Sequence, residues 1–194
     1  MSYRTTIFII LLALTGTSNA MDEDHMMLTA FDDQTPDLGW RTINDTVMGG
    51  RSRGGYRIEE DTLKFRGRTN TNGGGFSSIR TTPMDLNLDD AVGLRMRVRG
   101  DGRMYTFRVV TYPNRVTYWA EFPTRAHGKW VEVRIPFSAF WPNWRGSRLR
   151  GPALVPTQIS SLGIMIYDKK DGPFNLEVDW IKGYTSNLEI SQPH

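Results

Sequence analysis

The run Leu94-Arg95-Met96-Arg97-Val98-Arg99-Gly100-Asp101-Gly102-Arg103-Met104-Tyr105-Thr106-Phe107-Arg108-Val109 decides how this chain folds. Leu94, Met96 and Val98 alternate with three arginines, and Tyr105, Phe107 and Val109 alternate with Thr106 and Arg108. Side chains two apart on an extended backbone share a face, so each half predicts a strand with one apolar and one wet face. Gly100-Asp101-Gly102 between them is turn chemistry. The same period recurs outward along the chain. It marks strands through Val116, Tyr118, Ala120 and Phe122, through Val131, Val133 and Ile135, and through Leu162, Ile164 and Ile166. A further strand runs through Phe174, Leu176, Val178 and Trp180, and weaker ones fall at residues 56–58, 63–65 and 76–80. No helical period is sustained beyond residue 20; Phe137 to Phe140 reads as a helical turn and Trp141 to Thr157 as a long loop. Short strands joined by glycine turns predict an all-β protein, an antiparallel β-sandwich of the jelly-roll kind.

The 194 residues suffice for one domain. With 39% hydrophobic and 23% charged residues, the chain is neither disordered nor a multi-span membrane protein. A net charge of +3 is a weak field and gives no reason to expect nucleic acid. There is no cysteine, which excludes disulfides, thiolate metal sites and thiol catalysis. The three histidines, His25, His127 and His194, are too dispersed for a metal pair. No metal and no cofactor are expected.

Residues 1–20, MSYRTTIFIILLALTGTSNA, place Arg4 before the apolar run Ile7 to Leu14 and end on Ser18-Asn19-Ala20. That is the pattern of a signal peptide, and the run is too short for a transmembrane anchor. The resulting expectation is an exported protein, periplasmic or extracellular. Residues 1–20 are then the signal peptide, 21–27 an acidic extension, 28–184 a single jelly-roll domain and 185–194 a tail.

The segment from Trp40 to Ser52 holds Asn44, Asp45, Met48, Gly49, Gly50 and Arg51. Two adjacent glycines allow close backbone approach, and Asn, Asp and Ser can bond the exposed backbone groups. A phosphate loop needs the glycines to open a helix with a lysine following, which is not the case here. The residues read as a structural corner. In sequence, however, Asn44-Asp45-Thr46-Val47-Met48-Gly49-Gly50-Arg51-Ser52 resembles the opening motif of the complex I intermediate-associated protein 30 family. The resemblance continues through Gly74, Gly75 and Phe76 to Arg80, through Gly100, Asp101 and Gly102, and through Trp130 to Phe137. It ends on Asp168 to Phe174, so it spans about residues 28–184. It implies a galactose-binding-domain-like jelly roll and a non-enzymatic, chaperone-like role in assembling respiratory complex I, with a protein client or assembly partner.

Two further sets of residues are candidates for binding. Opposite the apolar faces stand Arg95, Arg97, Arg99, Arg108, Trp119, Glu121, Glu132 and Arg134, one continuous patch if their strands are neighbours. Arginine offers forked donors and tryptophan an apolar platform, which suits a glycan as the alternative partner. Arginine beside glutamate across strands also pairs without any ligand. The second set is Trp141, Trp144, Arg145 and Arg148, in a segment dense in the residues of binding hot spots. Catalysis has little support: Glu121 and Glu132 are the carboxylate pair that could serve a jelly-roll glycan hydrolase or lyase. Asp168, Asp171 and Asp179 are a weak candidate for a structural calcium.

Overall fold

The computed structural model describes residues 26–126 and 128–185. The segment read as a signal peptide and all three histidines lie outside the described residues. Thirteen strands follow in order: β1 Met27–Thr29, β2 Arg41–Asn44, β3 Arg53–Glu59, β4 Thr62–Thr69, β5 Ser77–Arg80, β6 Gly93–Arg99 and β7 Met104–Thr111. They continue with β8 Thr117–Pro123, β9 Trp130–Pro136, β10 Trp141–Trp144, β11 Ser147–Arg148, β12 Ile159–Ile166 and β13 Gly172–Tyr184. Helix among the described residues is confined to three short 3-10 turns, at Asp45–Met48, Phe137–Ala139 and Pro156–Gln158. All strand pairs are antiparallel.

The strands form two sheets. One runs β3-β4-β13-β6-β9 with β1 added on β13, and the other runs β11-β10-β8-β7-β12-β5-β2. The alternating apolar residues fill the space between them. Leu63, Phe65, Val98, Tyr105, Phe107, Ile164, Leu176 and Val178 are fully buried, so one core serves both sheets. Phe65 packs on Phe174 with ring centroids 4.8 Å apart. Each such side chain removed from water contributes about 1.5–3 kcal/mol. This is the antiparallel sandwich of the jelly-roll, galactose-binding-like kind.

Three expectations need correction. First, β6 and β7 are not neighbours, which was the condition for one continuous outer patch. Gly100-Asp101-Gly102 carries the chain from one sheet to the other. Asp101 fixes that crossing by accepting bonds from the Arg103 and Asn175 backbone N–H groups, at 3.0 and 2.7 Å. Periodicity states which way a side chain faces, not which sheet its strand joins. Second, Trp180 leaves the core. β13 bulges at Asp179, between Val178 opposite Val98 and Trp180 opposite Arg97. One extra residue inverts the facing of all that follows, so Ile181 takes the buried position. Third, the stretch read as a loop at 141–157 contains a hairpin. Arg145 and Gly146 turn β10 into β11 with φ of 50° and 89°, a conformation open to few residues other than glycine. β10 then pairs with β8, placing Trp141 opposite Trp119.

Candidate functional site

The outer face of the seven-stranded sheet is the candidate site. On β7 and β8 the core takes Tyr105, Phe107, Val109, Tyr118, Ala120 and Phe122. Thr106, Arg108, Trp119 and Glu121 must therefore point outward. The register aligns one row across six strands: Trp141 opposite Trp119, Trp119 opposite Arg108, Arg108 opposite Gly163, Gly163 opposite Arg80, and Arg80 opposite Arg41. The floor beside this row is shielded from solvent, with Ser78, Thr106 and Met165 all buried.

The aromatic end of the row opens into a groove of about 430 Å³ lined by Trp119, Glu121, Trp141, Arg148, Tyr167 and Lys169 among others. Trp119 meets Tyr167 edge-on at 5.9 Å, Arg148 lies 5.0 Å over the Trp141 ring, and the Lys169 ammonium sits 3.4 Å from the Tyr167 centroid. The hairpin turn is seated against the same tyrosine. A Cβ on Gly146 would stand 3.0 Å from its hydroxyl. At the tip, Trp144 is 64% exposed, with the Arg145 guanidinium 5.4 Å over its ring.

The sequence-derived candidates thus divide between two faces. Arg108, Trp119 and Glu121 join Trp141 and Arg148. Arg95, Arg97, Arg99, Glu132 and Arg134 lie on the outer face of the other sheet, so the continuous patch does not exist. That second face is satisfied internally. Arg95 pairs with Glu132 at 3.1 Å and Arg97 with Asp179 at 2.6 Å. Glu177, buried, is held by Arg66 at 2.8 Å and by Arg99. Arg97 and Arg99 stack on Trp130 at 5.1 and 4.8 Å, and Arg134 on Tyr184 at 5.9 Å. Glu121 and Glu132, on opposite sheets, are no hydrolytic pair. The three aspartates proposed for calcium also part company. Asp168 grips Arg103 at 2.5 and 2.9 Å, Asp171 accepts the Thr71 N–H at 2.6 Å, and Asp179 binds Arg97. No metal-ligating cluster occurs among the described residues.

The glycine-rich segment is a knot built on one carboxylate. Asp45 is fully buried and accepts bonds from Ser52 N–H at 2.8 Å, Ser52 Oγ at 2.6 Å, Gly75 N–H at 2.6 Å and Phe76 N–H at 3.2 Å. A Cβ on Gly50 or Gly74 would stand 2.3 or 2.4 Å from this carboxylate, which is why both positions are glycine. Gly49, at φ 85°, ends the preceding 3-10 turn. Burial pushes the Asp45 carboxyl up, but the Ser52, Gly75 and Phe76 bonds outweigh it and hold the carboxyl below the usual range. Met48 and Arg51 stay exposed beside the knot.

Sequence reasoning missed Arg41, Arg80, Tyr167 and Lys169 as members of the site. Arg80 carried a signal, since it flanks the inward Ile79 at outward parity. Nothing in the sequence placed it beside Arg108, twenty-eight residues away by numbering.

The fold is a β-sandwich, and solved carbohydrate-binding modules share it. The family 11 module of cellulase Lic26A-Cel5E from Clostridium thermocellum superposes with a TM-score of 0.60 at 15% identity, covering 84% of this chain and 96% of that one. An agarase superposes at 0.58 and 10% identity, over 82% of this chain and 24% of that enzyme. At such identities the likeness is one of fold. In sequence, the family described as complex I intermediate-associated protein 30 matches residues 29–178, and the chain belongs to it.

The mouse complex I intermediate-associated protein 30, mitochondrial, is 40% identical over 100 residues, 47% of this chain and 30% of the relative. The probable Caenorhabditis elegans counterpart is 32% identical over 103 residues, 50% of this chain and 30% of the relative. The matches thus span about a third of these relatives' length. An uncharacterized protein of Schizosaccharomyces pombe matches more fully, at 27% identity over 78% of this chain and 80% of its own. The mouse, C. elegans and Drosophila melanogaster relatives are named as mitochondrial, which overturns the expectation of a periplasmic or extracellular protein. A single arginine before a short apolar run carries hydropathy but does not specify a destination. Among the described residues no helix is long and apolar enough to cross a membrane.

Proposed function

We propose that this chain is a non-catalytic binding module that holds a protein client during the assembly of respiratory complex I, in a mitochondrial setting. The names of its relatives supply the process. The observation that carries the reading is the β10–β11 hairpin, which presents Trp144, 64% exposed, beside Arg145 at the edge of the sheet. A tryptophan left in water at a turn costs hydrophobic free energy unless a partner covers it, and Trp with Arg is the composition of interface anchors. The test is affinity capture from mitochondrial extract with the chain and its Trp144→Ala variant, reading complex I subunits by mass spectrometry. Complex I subunits retained by the native chain and depleted at least about tenfold by the variant support the reading. Equal recovery by both overturns the role of the hairpin.

A glycan is the second reading, favoured by the Trp119, Trp141 and Tyr167 rings lining one groove. It ranks behind because Arg148 already covers Trp141 and Tyr167 already meets Trp119. A solved family 11 module is in complex with a β-1,3-1,4-linked tetrasaccharide. Titration of the chain with that sugar, followed by tryptophan fluorescence, decides the point: no saturable change removes this ligand for the groove.

A further inference from the structure

The arginines on the two outer faces differ in one respect. On the six-stranded sheet Arg66, Arg95, Arg97 and Arg99 have carboxylate partners, whereas Arg41, Arg80 and Arg108 have none among the described residues. Arg108 is only 9% exposed, and its one side-chain hydrogen bond among the described residues is a long one, 3.4 Å to Thr117 Oγ1. Arg80, half-buried, donates from Nε to Ser78 Oγ at 3.2 Å. Removing a cation from water without a counter-charge is expensive, and like charges in adjacent register positions add to the cost.

The backbone sets these charges in one row. Gly163 lies between Arg108 and Arg80 in the row. A Cβ there would stand 2.7 Å from Arg108 Cγ and 3.0 Å from Cδ, so the arginine stem lies where a side chain at 163 would stand. Arg108 and Arg80 thus share one row across Gly163, with Arg41 one strand further at the sheet edge. Burial, then Arg80 and Arg41, push the Arg108 guanidinium down to about 9. Burial and Arg41 likewise lower Arg80.

We infer that Arg108, Arg80 and Arg41 form an oxyanion-binding site over Gly163, taking one carboxylate, phosphate or sulfate group. Guanidinium forks match the planar or tetrahedral oxygens of such groups, and a shielded floor strengthens the pairing. The inference stands independently of the client-binding reading, because it rests on the arginine row and not on the hairpin. The group can arrive as a free anion or on an acidic side chain of a bound peptide.

The test is calorimetric titration of the purified chain with inorganic phosphate and, separately, with hexaglutamate, each at ionic strength matched by sodium chloride. Arg108→Met and Arg80→Met keep the apolar stem and remove the charge, and Arg57→Met on the opposite sheet is the control. Saturable phosphate binding with a Kd below about 1 mM, weakened at least about tenfold by Arg108→Met and Arg80→Met but not by Arg57→Met, establishes the site for a free anion. The same pattern with hexaglutamate but not phosphate assigns it to a carried carboxylate. Absence of both, or binding that survives Arg108→Met, overturns the inference. Thermal melting in anion-free buffer gives a second readout. Arg108→Met is expected to melt no lower than the native chain, because an uncompensated buried cation has been removed. A Tm lowered by more than about 4 °C means that the guanidinium is already satisfied within the fold, and also overturns the inference.

Discussion

Asp45 shows what one buried side chain contributes when its bonds are complete. Asp45→Asn keeps the size but removes half of the acceptor capacity and places donors against the Ser52 and Gly75 N–H groups. The expected cost is about 2–4 kcal/mol, read as a lower midpoint in urea unfolding. Gly50→Ala acts on the same knot from outside, and a comparable loss is expected because the new methyl meets the carboxylate. Glu177 obeys the same rule on the other sheet: burial pushes it up, but Arg99 and Arg66 hold it below its ordinary value. Both carboxyls are therefore lowered by folding. The stability they contribute is present above the ordinary carboxylate range and is lost as pH falls through their lowered values. Melting temperature should decline below about pH 4, and Glu177→Gln should flatten that acid decline while lowering Tm at neutral pH.

At the scale of elements, the bulge in β13 is the most consequential local feature. It lets one strand pair with β4 through its first half and with β6 through its second while changing which side chains face the core. Deleting Asp179 would close the bulge and leave Trp180 opposite Arg97, facing outward, and Ile181 opposite Met96, facing inward. The expected result is a cooperative melt retained in near-ultraviolet circular dichroism, with Tm lowered only by the loss of the Asp179–Arg97 pair. The β10–β11 hairpin depends on a different device, the left-handed turn at Arg145-Gly146. Gly146→Val combines a strained φ with contact against Tyr167. It should therefore weaken any ligand dependent on the groove while leaving the unfolding free energy within about 2 kcal/mol of native. The alternation in β6 through β9 made those strands readable from sequence. This hairpin was not, because Trp141-Pro142-Asn143-Trp144 shows no alternation of apolar and polar residues. Its strand character comes from pairing with β8.

For the whole molecule, two sheets share one core, so neither can persist alone. Tryptophan fluorescence and far-ultraviolet circular dichroism should report a single coincident unfolding transition; separate midpoints would show that the sheets unfold independently. The sandwich also gives the protein two chemically unlike exteriors. One is a mesh of arginines, carboxylates and tryptophans that answers its own charges, and the other is a row of arginines and aromatics that does not.

The sequence alone determined the strand periods, the inward and outward parity of most side chains and membership of the family. These are local properties, carried by residues one or two positions apart. Only the tertiary structure decided that β6 and β9 belong to one sheet and β7 and β8 to the other. This separated Arg97 from Arg108 and brought Arg41 and Arg80 to Arg108 across Gly163. Sheet pairing joins segments distant in the chain and is settled by which faces fit around the shared core, and a period of two residues holds no record of that choice.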